Sequence, residues 1–94
     1  MKKILIIDDE RAIRSTLKEI LEFEKYEVDD AEDGTVGLKY IESKSYDLIF
    51  CDIKMPKMDG LEFLERKMKS ESDCPIIMIS GHGNIETAVQ ALSL

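Results

Sequence analysis

The stretch Lys3-Ile4-Leu5-Ile6-Ile7-Asp8-Asp9-Glu10 decides how this chain is read. Its four consecutive apolar residues are too few for a membrane span or for the apolar region of a signal peptide. They read instead as a short strand buried on both faces, closed by an acidic pair. Beyond this stretch, Ile13, Leu17, Ile20 and Leu21 recur at helical spacing across Arg11 to Glu24. Tyr26 to Ala31 reads as a weaker strand, interrupted by Asp29 and Asp30. Asp33-Gly34 is a turn, and Thr35 is expected to cap a helix running to about Ser43. Leu48-Ile49-Phe50-Cys51 is a second buried strand, followed by a loop punctuated by Pro56 and Gly60. Leu61, Leu64 and Met68 mark a third helix. After Pro75 comes the apolar strand Ile76-Ile77-Met78-Ile79. Asn84 is expected to cap a fourth helix bearing Ile85, Ala88, Val89 and Leu92.

The order is therefore βαβαβαβα, which specifies a parallel sheet with right-handed crossovers. Strands that are apolar throughout require helices on both faces. The chain has 94 residues, enough for one small domain. Its 44% hydrophobic content supports a packed core and excludes a disordered chain. With 13 basic and 20 acidic side chains the net charge is −7, which argues against direct nucleic-acid binding and against an anionic membrane surface. Cys51 and Cys74 have no partner at metal-site or framework spacing, so a cytoplasmic protein with reduced thiols is expected. Cys51 reads as a small buried hydrophobe, and Met55, Met58 and Met68 as packing or loop residues.

Each strongly apolar strand ends in a polar residue: the first in Asp8-Asp9, the second in Asp52, the third in Ser80. Parallel strands bring these ends to one edge, where open α/β sheets bind their ligands. Taken singly, Asp9 can be a helix cap, Asp52 the start of a turn and Ser80 a turn residue. Taken together they predict a carboxylate cluster. Repulsion within such a cluster is relieved by a hard cation, and Mg²⁺ suits one or two carboxylates plus a phosphate. A carboxylate there can also be a nucleophile, and a serine hydroxyl can donate to a phosphoryl oxygen.

Asp8-Asp9-Glu10, then Asp52-Ile53-Lys54-Met55-Pro56-Lys57-Met58-Asp59-Gly60, then Ser80-Gly81-His82-Gly83 resemble the receiver domain of two-component response regulators. Ala31-Glu32-Asp33-Gly34 fits the same pattern, and the resemblance spans the whole chain. The segment running from Ser80 to Ala88 is most similar to nitrogen-response regulators. The resemblance implies an α/β, flavodoxin-like, doubly wound parallel sheet in the order 2-1-3-4, with helices on both faces. It implies that Asp52 is the phosphoacceptor and that Asp9 ligates Mg²⁺ directly. Asp8 would support the metal through water, and the backbone carbonyl of Lys54 would complete its protein ligands. Ser80 would be the switch hydroxyl, and Lys54, Gly81 and His82 would flank the pocket mouth. A sensor histidine kinase would donate the phosphoryl group. A σ54-activating ATPase and DNA-binding module would be the output in the parent chain.

Receivers of this family carry a fifth strand and helix, with a lysine and an aromatic switch residue that no position within 1–94 matches. The chain is accordingly read as an incomplete receiver domain. If it ended at Leu94, the strand at Ile76 to Ile79 would have a free edge, and a homodimer, exchanged elements or aggregation would be expected. Two other classes fit the sequence less well. A phosphatase with a nucleophilic Asp would want a second Asp where Lys54 stands. A phosphorylation-independent interaction module would not need the acidic positions intact.

Overall fold

The computed structural model describes residues 1–55, 57–70 and 73–79. Seven elements follow one another: β1 (Lys3–Ile7), α1 (Arg11–Phe23), β2 (Glu27–Ala31), α2 (Gly34–Ser43), β3 (Leu48–Asp52), α3 (Gly60–Lys69) and β4 (Ile76–Ile79). The strands form one parallel sheet in the order β2-β1-β3-β4. The expected fourth helix lies outside the described residues.

Side chains alternate across the sheet, and the two faces have separate cores. Leu5 and Ile7 of β1 join Ile49, Cys51, Phe63, Leu64, Ile76 and Met78 under α2 and α3. Ile4, Ile6 and Val28 face the other way, against Leu17 and Leu21 of α1. Ile4 to Ile7 are all buried, as a strand covered on both faces must be. Leu48, Phe50, Ile77 and Ile79 are only half-buried.

One local expectation is corrected, and two further local details are resolved. Helix α2 begins at Gly34, one residue before Thr35, and its cap is Asp33, whose carboxylate accepts from the Val36 N–H at 2.9 Å. Helix α3 turns Phe63, Leu64 and Lys67 inward, while Leu61 and Met68 stand exposed, so the stripe marked by Leu61 and Met68 is offset from the buried face. Asp9 caps nothing: Glu10 occupies the N-cap position of α1 and makes no side-chain cap bond.

The charged pair that interrupts β2 has partners. Asp29 accepts from the Tyr46 hydroxyl at 2.7 Å and from Lys44 at 3.3 Å. These bonds outweigh the opposing effect of burial and hold its carboxyl below the usual range. Asp30 pairs with Arg14 at 2.9 Å and Lys18 at 3.5 Å. Among the described residues β2 is an edge strand, where charged side chains are well tolerated.

Candidate functional site

Ile7 pairs with Cys51 in the β1–β3 ladder, so the residues that follow, Asp8 just beyond β1 and Asp52 at the last position of β3, stand side by side at the carboxyl edge of the sheet. Both are buried, at 3% and 6% exposure, while Asp9 is exposed. One carboxylate oxygen from each of Asp8, Asp9 and Asp52 lies within 4.8 Å of the other two. The three acidic positions expected to converge therefore do.

The backbone fixes this geometry. The Asp8 N–H donates to the Ala31 carbonyl at 3.1 Å, and the Asp8 carboxylate accepts from the Glu10 N–H at 2.8 Å. The Asp8 carbonyl accepts from Arg14 Nη1 at 2.7 Å. On the other strand, the Ile53 N–H donates to the Ile79 carbonyl at 2.9 Å, and the Gly60 N–H to the Ile53 carbonyl at 2.7 Å. The turn after Asp52 is thus tied to both β4 and the first residue of α3. The Lys54 N–H approaches Asp52 Oδ1 at 3.4 Å, and the Lys54 side chain is exposed.

Electrostatics at the site is strained in the sense a cation would relieve. Burial pushes the Asp52 carboxyl up to about 6, and the negative charges of Asp8 and Asp9 add to the shift against the Lys54 N–H. Burial also raises Asp8, with Asp9 and Glu10 adding to it and the Glu10 N–H and Arg14 opposing. Three hard oxygen donors, two of them desolvated, fit Mg²⁺ by the chemistry of the donor set. Cys51, beside Asp52, is fully buried, and burial raises its thiol far above the reactive range, so it is packing and not a nucleophile.

Ser80, Gly81 and His82 lie outside the described residues. A hollow of about 460 Å³ lined in part by Ile41, Lys44, Tyr46, Ser70 and Cys74 sits at the opposite, amino-terminal edge of the strands, away from the carboxylates. Sequence reasoning passed over Arg14. The available signal was a cation in the first turn of a helix, where the dipole disfavours it.

A 2-1-3-4 parallel sheet with an acidic cluster beyond its central strands defines the class as a receiver. The chain belongs to the response regulator receiver domain family, which it matches over residues 4–94. It is 44% identical over 91 residues to the nitrogen assimilation regulatory protein NtrX of Azorhizobium caulinodans, covering 95% of this chain. It spans 20% of that relative's length. Response regulator TrrA of Thermotoga maritima, solved in complex with Mg²⁺-BeF, superposes with a TM-score of 0.84 at 42% identity, covering 97% of this chain and 81% of that one. The same regulator in complex with histidine kinase ThkA gives 0.86 at 41% identity, covering 97% and 80%. The fold and the family are those of phosphorylation-activated two-component signalling.

Proposed function

We propose that Asp52 accepts a phosphoryl group from a sensor histidine kinase, with Mg²⁺ held by Asp9 and Asp52 and supported by Asp8. The observation that carries this reading is the convergence of the three carboxylates within 4.8 Å at the carboxyl edge of the sheet. The similarity to TrrA solved with Mg²⁺-BeF, and with a histidine kinase, supports the cofactor and the donor. Bound Mg²⁺ supplies positive charge against the phosphoryl oxygens and the carboxylates.

The chain's own groups do the rest. An oxygen of Asp52 forms a bond to phosphorus as the phosphorus–nitrogen bond of the donor phosphohistidine breaks, and the imidazole leaves with that electron pair. The Lys54 N–H steadies the Asp52 carboxylate, and the Lys54 carbonyl is a further metal ligand by position. Ser80 follows β4 in sequence and supplies a hydroxyl to a phosphoryl oxygen, so that phosphorylation is coupled to conformation. The domain assists its own phosphorylation and dephosphorylation and does not turn over a separate substrate. In the parent protein, in the cytoplasm, it governs an output module of the transcription-regulating kind; the nitrogen-regulator resemblance supports a σ54-activating ATPase joined to a DNA-binding unit.

The test is trapping by a phosphoryl analogue. Beryllofluoride should raise the melting temperature of the protein only when Mg²⁺ is present, and not in Asp52→Asn. Stabilisation that is independent of Mg²⁺, or that persists in Asp52→Asn, would refute the assignment.

A further inference from the structure

Arg14 is the one cation that touches the main chain of the acidic site among the described residues, and neither helix formation nor the reaction accounts for it. It stands in the first turn of α1, where the helix dipole opposes a positive charge. Near a cluster meant for a dication, its charge works against binding. What holds it there is geometry. Its Nη1 donates to the Asp8 carbonyl at 2.7 Å, and its Nε donates to Asp30 Oδ2 at 2.9 Å. The Arg14 side chain is largely buried, at 14% exposure, and the second oxygen of Asp30 meets Lys18 at 3.5 Å. One planar guanidinium thus joins α1, the β1–α1 turn and β2. A planar fork can satisfy two acceptors at fixed angles, which a single ammonium cannot do in the same way.

We infer that Arg14, anchored by Asp30, is a positioning residue that fixes the main chain of Asp8 and, through it, the Asp8-Asp9 pair. Asp8 is then held at three points: its N–H by Ala31, its carboxylate by the Glu10 N–H and its carbonyl by Arg14. The turn cannot rotate to relieve the crowding of carboxylates. This rests on the reading of those carboxylates as a Mg²⁺ site.

The two roles available to Arg14 predict opposite signs, which makes the test decisive. Mg²⁺ affinity is measured by calorimetric titration of the whole protein and of Arg14→Ala, Arg14→Lys, Asp30→Asn and Asp9→Ala, with melting in EDTA beside it. Positioning predicts weaker binding in Arg14→Ala by roughly tenfold, the scale seen when a group that orients a metal ligand is lost. Asp30→Asn should weaken binding in the same direction, as the loss of a negative charge near the site would by itself, so the discriminating variant is Arg14→Lys, which keeps the charge and should fail to restore affinity. Tighter binding in Arg14→Ala with wild-type affinity in Arg14→Lys would mean that only charge matters and would overturn the inference. So would a lower melting temperature with unchanged affinity in all three variants. Should Arg14→Ala not fold, Arg14→Lys carries the test alone: weaker binding supports positioning, and wild-type affinity overturns it. Unchanged affinity in Asp9→Ala would instead remove the metal site itself, while loss in Asp9→Ala with no change at Arg14 and Asp30 leaves the site standing and refutes the role of Arg14.

Discussion

Gly60 lies against the carbonyl of Asp52 so closely that no side chain fits between them. A Cβ at Gly60 would overlap that carbonyl oxygen and would stand 2.6 Å from the Met78 methyl and 2.8 Å from the Ile53 Cα. The start of α3 is therefore packed directly on the backbone of the proposed phosphoacceptor, and the Gly60 N–H bond to Ile53 clamps the contact at 2.7 Å. The obstructing atoms are mostly backbone, which cannot swing aside.

It follows that Gly60→Ala should damage both stability and chemistry. Overpacking of this kind costs about 1–3 kcal/mol. Urea unfolding should show that loss, and phosphorylation should slow even under conditions where the variant is fully folded. Wild-type stability in Gly60→Ala would show that the helix start can retreat without cost.

Asp52 gives a pH signature in the metal-free protein. Its ordinary value is 3.8 and its folded value is about 6, so the folded chain holds this proton more tightly than the unfolded chain does. The unfolded state binds fewer protons in that window, and stability must fall as pH rises from about 4 to about 6. Above it the ionised carboxylate costs the fold on the order of 1–3 kcal/mol. Asp52→Asn should therefore be more stable than the wild type at neutral pH, with the gain shrinking as pH falls through that window. A gain that is flat with pH would mean the repulsion is not located at Asp52. Saturating Mg²⁺ should reduce the advantage of Asp52→Asn.

The end of α1 offers a stabilising change. Lys25 sits at φ 73, a left-handed conformation that suits glycine. The Tyr26 N–H donates to the Leu21 carbonyl at 3.1 Å and the Lys25 N–H to the Glu22 carbonyl at 3.0 Å, the paired bonds of a Schellman motif. Lys25→Gly should stabilise the protein by about 0.5–1 kcal/mol without altering Mg²⁺ affinity, since the position lies at the far end of α1 from Asp8. A destabilised Lys25→Gly would show that the lysine side chain contributes more than its backbone costs.

These sites also show which features the sequence carries openly. Uninterrupted apolar runs such as Ile4 to Ile7 reveal strands because a parallel sheet buries both faces, and parallel strands then force Asp8, Asp9 and Asp52 to one edge. The sheet order follows from family resemblance more than from pattern. Capping was less readable: Asp33 and Thr35 are both good caps two residues apart, and only the backbone decides which carboxylate or hydroxyl meets a free N–H. Helix α3 was offset because exposed Leu61 and Met68 share helical spacing with buried Leu64, while the inward aliphatic part of Lys67 reads as polar. The bonds from Arg14 to Asp8 and Asp30 join three separate elements; the cation in the first turn of α1 marks the residue, but no local pattern names its partners.

Asp52 is the group proposed to receive the phosphoryl. The most direct measurement is the intact mass of the full-length protein after incubation with Mg²⁺ and a small phosphodonor, compared with Asp52→Asn. A gain of one phosphoryl group, labile to hydroxylamine, is expected in the wild type, and none in Asp52→Asn. A hydroxylamine-sensitive phosphoryl group of equal yield in Asp52→Asn would contradict it.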